Sequence, residues 1–412
     1  MSLRVKCVPE AFDIEEEIIK TMNDYDKDVS LKKIDLIIGV YRSEDGDLYL
    51  LPVVKKAQQM VLEETLNHNY LSIRGIDEFT KAACTLILGD IEKQWNDETI
   101  FGFQCIGGAG ALKIGADFLH QFMECTTVYF SDPTWVNHEP TFKSSGFKNI
   151  RKYRYFKKES KSLDIEGIWE DLSNAPENSV VILQVCGHNP TCVDPTKEQW
   201  KKIAKIIKEQ KLIPFFDIAY QGFASGDLIE DAWVIRYFFQ EGIDFICAQS
   251  FSKIFTMYNE RVGNLMFSMK PSSEIDVIKS NVSKIVRCMY SNPPNHGTKT
   301  ILKILTNSEL YNEWSNSFTI MVSRIKTIRI DFRKALEDLG APGKWNYITD
   351  HGGMFILLNF TSNQLEYFQQ FYHIYVSPPG RLNVTGLNTN NIDYIAKAVT
   401  ETLKKSEKNI IM

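Results

Sequence analysis

Short apolar runs alternate with longer amphipathic segments between about residues 100 and 270. The runs are rich in branched and aromatic side chains, which favour buried β-strands. They occupy residues 127–130, 180–185, 212–216 and 244–248. This alternation is typical of strand–helix–strand crossovers, so it predicts an α/β fold with a mostly parallel central sheet flanked by helices.

The segments between the runs carry helical periodicity. One helix is predicted to begin at Asp194, as the N-cap before Pro195 at the first helical position. Its apolar face consists of Trp200, Ile203, Ala204 and Ile207. Another helix is predicted to start within the glycines at 107–110 and to continue through Phe122.

A second, smaller α/β unit is predicted after about residue 310. A long amphipathic helix over 311–339 is followed by strands within 353–360 and 374–376 and by a final helix from about 391. A Gly- and Pro-punctuated stretch separates the apolar run 34–40 from the central sheet, so this run is assigned to the smaller unit. The predicted division is an N-terminal arm (1–14), a small domain (15–44 and 311–412) and a large domain (45–310).

Composition places the chain among globular proteins. Of the 412 residues, 44% are hydrophobic and 24% are charged, and 47 Lys and Arg against 52 Asp and Glu give a net charge of −5. A negative balance does not favour binding to nucleic acid or to acidic membranes. No uncharged run is long enough to span a bilayer, and the first residues lack a secretory apolar core, so a cytoplasmic location is expected. The cysteines include no CxxC pair, so no metal site is expected.

Polar residues follow the apolar runs where ligands bind in parallel sheets. Asp217 ends the run 212–216, and Lys253 follows the run 244–248. An Asp in such a place more often caps a turn, and a lone lysine is more often an exposed amine. When desolvated, however, the carboxylate needs a cationic partner, and the lysine becomes a nucleophile.

A phosphate site is predicted beside these two residues. The glycines at 107–110 offer backbone N–H groups at a helix N-terminus, and Arg261 is a charged donor that could complete the site. Pyridoxal 5'-phosphate requires a carboxylate that pairs with its pyridinium nitrogen, a lysine that reacts with its aldehyde and a helix start that binds its phosphate. These residues would supply all three.

The segment Ser250-Phe251-Ser252-Lys253, followed by the segment from Tyr258 to Leu265, resembles the cofactor-lysine signature of class I aspartate aminotransferases of the eukaryotic cytosolic and mitochondrial type. The similarity is colinear from about residue 34 to about residue 398. Other matching segments are 67–71, 107–112, 133–138, 188–191, 215–225, 291–294 and 380–384.

The resemblance implies the fold type I architecture of pyridoxal-phosphate transferases and a homodimer with shared active sites. It also implies a reaction, the reversible ping-pong transamination of L-aspartate and 2-oxoglutarate to oxaloacetate and L-glutamate. The implied partners are dicarboxylic amino and keto acids, without nucleic acid or membrane.

Roles for individual residues follow from the same resemblance. Lys253 is expected to form the Schiff base with the cofactor and to move the proton, and Asp217, supported by His138, to keep the ring nitrogen protonated. Asn189 and Tyr220 are expected to contact the phenolic oxygen. Trp135 is expected to stack on the ring. The phosphate positions are Gly107, Gly108, Ala109, Ser250, Ser252 and Arg261, with Tyr70 reaching in from the neighbouring subunit.

Two arginines are expected to select dicarboxylates. Arg381 matches the residue that binds the substrate α-carboxylate, assisted by Asn189 and by the backbone at Gly39, and Trp135 is also expected to contact the substrate. Arg287 matches the residue that crosses the dimer interface to bind the distal carboxylate. A planar guanidinium suits a carboxylate better than a lysine does, because it forms two parallel hydrogen bonds.

Several positions depart from the family pattern. Ala109 stands where a threonine normally reaches the phosphate, Gln184 replaces a histidine, and Cys192 replaces a glycine. Ile254 and Thr256 replace the asparagine and glycine that usually follow the lysine. These changes leave open two alternatives within the fold, an aminotransferase with broadened aromatic specificity and a cofactor-binding homologue with reduced activity.

Two alternatives from other classes are less well supported. A dinucleotide fingerprint at Gly108 and Gly110 lacks its third glycine, because the next one is Gly115. The basic aromatic run 151–158 suggests nucleic-acid binding, but its alternation is better explained by an exposed strand, and the net charge argues against such binding.

Overall fold

The computed structural model describes residues 13–64 and 67–410. The strands are Ile34–Leu36 (β1), Ile100–Ile106 (β2), Thr127–Asp132 (β3), Asn149–Arg154 (β4), Phe156–Lys157 (β5), Ser162–Leu163 (β6), Val180–Gln184 (β7), Ile213–Ile218 (β8), Phe245–Ser250 (β9), Val262–Ser268 (β10), Phe355–Leu357 (β11), Ile374–Val376 (β12) and Arg381–Asn383 (β13).

Helices connect and cover these strands. They are Asp13–Lys27 (α1), Pro52–Glu63 (α2), Asp77–Leu88 (α3), Glu92–Asn96 (α4), Gly107–Gln121 (α5), His138–Ser144 (α6), Ile165–Ser173 (α7), Lys197–Glu209 (α8), Leu228–Asp231 (α9), Trp233–Gln240 (α10), Ile275–Met289 (α11), His296–Thr306 (α12), Ser308–Asp338 (α13), Tyr347–Asp350 (α14), Ser362–Tyr372 (α15) and Ile392–Ile410 (α16). In the described part of the chain, no helix is both long and apolar enough to cross a membrane.

The central sheet has seven strands in the described residues, in the order β2-β10-β9-β8-β7-β3-β4. β10 runs antiparallel to β2 and β9, and the pairs from β9 to β4 are parallel. The predicted α/β class with a mostly parallel sheet is confirmed. The apolar pattern does not predict β2 or β10, because Gly102 and Gln104 interrupt the first and Gly263 and Asn264 interrupt the second.

The helix predicted from Asp194 begins later in the chain, so this prediction is wrong. α8 starts at Lys197 with Thr196 as its N-cap, and Thr196 and Gln199 form a capping box. The Asp194 carboxylate instead accepts hydrogen bonds from the backbone N–H groups of Gly187 and His188, at 2.7 and 3.0 Å. The Asp194 side chain therefore stabilises the preceding loop instead of capping α8.

The two ends of the chain meet beside the large sheet. β1 pairs in parallel with β12, with Ile34 opposite Ile374, and β11 pairs with β13. The long helix α13 begins at Ser308, where Asn307 caps it, rather than at residue 311. The division into domains stays a prediction. The predicted arm, residues 1–14, lies outside the described residues except for the start of α1.

α5 packs closely against the central sheet at one glycine. A Cβ at Gly115 would lie 2.7 Å from Cε1 of Phe215 on β8, closer than carbon atoms normally approach. Gly110, on the same helix, has more room, because a Cβ there would lie 3.4 Å from the nearest atom, Cβ of Ile106. The small residue at 115 thus lets α5 lie close against the sheet.

We expect Gly115→Ala to lower the free energy of unfolding by roughly 1 to 3 kcal/mol through overpacking, less the gain of up to about 1 kcal/mol in helix propensity. Gly110→Ala is the matched control, and it should leave stability unchanged or raise it slightly. Denaturant unfolding of the two variants measures the difference. Equal unfolding midpoints would contradict the proposed packing constraint.

Candidate active site

A cavity of about 190 Å³ lies at the carboxyl ends of the central strands. Most of its lining residues are predicted site residues, namely Gly108, Ala109, Trp135, Asn189, Asp217, Tyr220, Ser250, Ser252, Lys253 and Arg261. Its other lining residues are Leu112, Asn137, Gln184 and Ala219. A larger groove of about 770 Å³ runs along α8 and α10, but surface lysines and glutamates line much of it. The smaller cavity is therefore the candidate active site, because it contains the predicted lysine, carboxylate and arginine.

The strand register brings the polar residues together. Gln184 at the end of β7 lies opposite Asp217 on β8, and Asp217 lies opposite Ala248 on β9. Because β10 runs the other way, its first residues reach the same edge, where Gly263 pairs with Ser250. Distant parts of the sequence thus meet at one end of the sheet.

Asp217 is held by a buried histidine. His138 is fully buried, and its Nε2 lies 3.0 Å from Oδ2 of Asp217. The other ring nitrogen, Nδ1, lies 2.7 Å from the hydroxyl of Thr134. A hydroxyl that donates to Nδ1 leaves Nε2–H to donate to the carboxylate, which orients Asp217 in the cavity wall.

Lys253 has an amine suited to nucleophilic chemistry. The pKa of Lys253 is lowered to about 8, chiefly by burial; Asp217 opposes this shift, and the positive charges of Arg261 and Arg381 add to it. Its Nζ lies 5.5 Å from the centre of the Tyr220 ring. Burial also raises the pKa of the Tyr220 hydroxyl, so this side chain remains a neutral hydrogen-bonding group.

A cradle for an anion forms where α5 begins. Nη1 of Arg261 donates to the Ser252 hydroxyl at 3.1 Å, and Gly107 N–H donates to the Arg261 carbonyl at 2.9 Å. Gly107 has φ +67°, and a Cβ there would collide with the Arg261 guanidinium. A Cβ at Gly108 would lie 2.9 Å from that of Ser250. The helix start and the guanidinium together suit a phosphate.

Arg381 lies buried beside the cavity and is held by neutral groups. Nη1 donates to Oδ1 of Asn189 at 2.8 Å, and Nη2 donates to the carbonyl of Ile37 at 2.9 Å and to the hydroxyl of Ser377 at 3.1 Å. The guanidinium lies 4.3 Å from the centre of the Phe355 ring. Burial lowers the pKa of Arg381. A buried cation whose hydrogen-bond partners, among the described residues, are all neutral favours an incoming carboxylate.

Gly39 and Trp135 border the same region. A Cβ at Gly39 would lie 3.0 Å from Cε1 of Phe355 and 3.5 Å from the Tyr220 hydroxyl, so only glycine fits there without movement. The ring of Trp135 lines the cavity and meets the His138 ring edge to face, 5.3 Å between centres.

Tyr70 and Arg287 lie away from this cavity. Tyr70 is 87% exposed, and Arg287 is exposed on α11, where it contacts the Ser291 hydroxyl. Their predicted roles place them in the site of a neighbouring subunit, and those roles stay predictions.

Two departures from the family pattern lie in backbone conformations that favour glycine. Cys192 has φ +54° and Thr256 has φ +51°. The sulfur of Cys192 accepts a hydrogen bond from Phe355 N–H at 3.3 Å, and the Thr256 hydroxyl accepts one from Leu51 N–H at 3.2 Å. Both side chains therefore make a contact that glycine lacks. Ile254 is buried in the core.

Comparison with known proteins shows the family of this chain. Residues 31–399 match the family model described as aminotransferase class I and II. The chain is 43% identical over 394 residues to the cytoplasmic aspartate aminotransferase of Gallus gallus, covering 94% of this chain and 96% of that protein. The chain belongs to the aminotransferase class I and II family, which confirms the resemblance seen in the sequence.

Solved structures show the same fold over nearly the whole chain. The Saccharomyces cerevisiae cytoplasmic aspartate aminotransferase superposes with a TM-score of 0.92 at 35% identity, covering 98% of each chain. An aromatic-amino-acid aminotransferase of Burkholderia pseudomallei, covalently bound to pyridoxal phosphate, also superposes with a TM-score of 0.92, at 33% identity, covering 98% of this chain and 100% of that one.

The lowered pKa of Lys253 predicts its chemical reactivity. Only the neutral amine attacks a carbonyl, so the rate of reductive methylation at Lys253 should rise with pH and level off above about 8. Ordinary exposed lysines should continue to rise towards about 10.4. Residue-resolved mass spectrometry of the protein without added cofactor measures both profiles. A Lys253 profile that coincides with those of exposed lysines would contradict the burial argument.

Proposed function

We propose that this protein is a pyridoxal 5'-phosphate-dependent aspartate aminotransferase. The single observation that carries the proposal is that one cavity contains a lysine of lowered pKa, a carboxylate held by a buried histidine and an anion cradle at a helix start. The curated relative with 43% identity is named an aspartate aminotransferase and agrees with this assignment.

The residues of the cavity fit the cofactor group by group. Gly107, Gly108, Ser250, Ser252 and Arg261 would hold the phosphate, because the missing side chains at the glycines leave room beside two hydroxyls and a guanidinium. Asp217 would pair with a protonated ring nitrogen, and Trp135 would cover the ring. Ala109 supplies a backbone N–H but no hydroxyl at this cradle.

When bound, pyridoxal 5'-phosphate supplies an aldehyde and an electron-withdrawing ring that stabilises negative charge on the substrate Cα. The protein supplies the proton chemistry and the orientation. The neutral amine of Lys253 would accept the proton from Cα of the amino-acid substrate, and its ammonium form would give a proton to Cα of the keto acid in the return half-reaction. Asp217, fixed by His138, would keep positive charge on the ring nitrogen, and Asn189 and Tyr220 would orient the ring through its phenolic oxygen.

Substrate selection is assigned to the two arginines. Arg381 would bind the α-carboxylate, with Asn189 and the backbone at Gly39 beside it. Arg287 of a second subunit would bind the distal carboxylate, and Tyr70 of that subunit would reach the phosphate. We therefore propose a homodimer that acts on dicarboxylic amino and keto acids, converting L-aspartate and 2-oxoglutarate to oxaloacetate and L-glutamate, and that works in the cytoplasm.

Aromatic substrates are the second candidate, because the Burkholderia pseudomallei protein of the same fold is named for them. Arg287 is the residue that separates the two candidates. In Arg287→Asp, kcat/KM for aspartate should fall by about a hundredfold or more, since a charge pair worth about 3 kcal/mol is lost and a repulsive one replaces it. Turnover of phenylalanine should fall far less.

Steady-state assays with aspartate and phenylalanine as donors, each with 2-oxoglutarate, measure this difference. Arg151→Asp, on the exposed strand β4, is the matched charge-reversal control and should retain wild-type rates. Lys253→Ala should abolish turnover of both donors. Unchanged kcat/KM for aspartate in Arg287→Asp would refute the assigned carboxylate site, and a wild-type enzyme that prefers phenylalanine would refute the proposed substrate class.

A further inference from the structure

Gln184 occupies a place in the cavity wall where it contacts the loop that carries Asn189. It is the last residue of β7, lies opposite Asp217 and is 7% exposed. The loop after β7 turns back over the end of the strand, so that the Gln184 side chain faces the backbone of Asn189.

The Gln184 amide forms two hydrogen bonds with this single residue. Asn189 N–H donates to Oε1 of Gln184 at 2.8 Å, and Nε2 of Gln184 donates to the Asn189 carbonyl at 3.0 Å. Both bonds are buried, and the reversed amide would place donor against donor and acceptor against acceptor. An amide presents its donor and acceptor side by side, whereas the two ring nitrogens of a histidine point away from each other. Gln184 therefore makes a paired contact that a histidine ring cannot.

Asn189 transmits this constraint to the arginine. Its Oδ1 accepts from Nη1 of Arg381, whereas the contacts of Nη2, Ile37 and Ser377, come from other parts of the chain. Nε of Arg381 is buried and has no hydrogen-bond partner among the described residues. The orientation of the guanidinium thus depends on a few bonds, and a shift of Asn189 removes one of them.

We propose that Gln184 is a positioning residue that fixes Asn189 and, through it, the Arg381 guanidinium that receives the substrate carboxylate. This inference rests on the proposed function, and it assigns a role to a residue that departs from the family pattern. Gln184 acts mainly on the binding of the substrate, because its contact with Asn189 leads to Arg381 and neither of its hydrogen bonds involves Lys253.

Two substitutions of similar length test the paired contact. Gln184→Met removes both hydrogen bonds with little change in volume, so the KM for aspartate should rise about tenfold, the effect of losing one charge-assisted hydrogen bond at Arg381. The kcat should fall by a smaller factor than the KM rises, because Gln184 makes no hydrogen bond to Lys253, although Asn189 also contacts the phenolic oxygen in the proposed function. A change confined to kcat, or a KM within twofold of wild type, would overturn the proposal.

Gln184→Glu gives a pH profile that a merely structural role would not produce. A protonated carboxyl both accepts and donates, so at low pH it reproduces the paired contact, whereas the carboxylate formed at higher pH opposes the Asn189 carbonyl. The ratio of variant to wild-type KM should therefore rise with pH. The charged and titratable side chains around residue 184, namely Asp217, Lys253, Arg381 and His188, are present in both proteins at each pH, so their effects enter both sides of the ratio. A ratio that does not change with pH would count against the proposal.

Hydrogen–deuterium exchange resolved to single residues gives a readout that needs no activity. In Gln184→Met the amide of Asn189 should exchange at least about tenfold faster, while the amides of Gly187 and His188 remain protected by Asp194. Gln221→Met is the control, because this buried glutamine donates to the carbonyls of Leu86 and Leu228 instead.

The two measurements separate this inference from the proposed function. Wild-type enzyme that fails to transaminate aspartate would refute the function, and the exchange of Asn189 would still test the contact with Gln184. Unchanged exchange of Asn189 in Gln184→Met would refute the positioning role even if the wild-type enzyme is fully active. A KM that rises equally in Gln221→Met would assign the effect to general destabilisation and would also refute it.

Discussion

The parallel register of β7, β8 and β9 is the constraint on which the site depends. Gln184, Asp217 and Ala248 share one row across three strands. A shift of one residue in any pairing would turn the functional side chain to the other face of the sheet. Apolar side chains buried on both faces of these strands, such as Ile182, Phe215 and Phe216, oppose such a shift. The packing of the core therefore fixes the positions of the functional side chains at the ends of these strands.

The reversed strand β10 adds the cationic part of the site. Because it begins where its neighbours end, Arg261 reaches the start of α5 and the hydroxyl of Ser252. Gly263 is required there, because the backbone of Gly107 passes too close for a side chain. The two arginines, 261 and 381, then act with burial to lower the pKa of Lys253. The antiparallel direction of β10 therefore lets Arg261 both form part of the anion cradle and lower the pKa of Lys253.

Most of the site was predictable from sequence, because an apolar run followed by a polar residue marks the end of a parallel strand. That rule places Asp217, and the family resemblance supplies Asn189, Tyr220, Trp135, Arg381 and His138. The two central strands with glycine and polar interruptions, β2 and β10, were not predictable from apolar periodicity, because their side chains fit close backbone approaches and buried hydrogen bonds.

Local hydrogen-bond competition explains other differences between the sequence and the structure. Asp194 has the sequence context of a helix cap, but two backbone N–H groups of its own loop bind its carboxylate, so Thr196 caps α8 instead. The sequence marks Gln184 only as a departure from the family pattern, because its paired contact with Asn189 depends on the path of the loop. Tyr70 and Arg287 stay predictions, since their proposed roles require a second subunit.

The absorption spectrum of the purified protein tests the central claim most directly. With pyridoxal 5'-phosphate bound in the cavity, we expect a visible band that aspartate shifts to shorter wavelength and that 2-oxoglutarate then restores. A protein saturated with the cofactor whose band does not respond to aspartate would contradict the account.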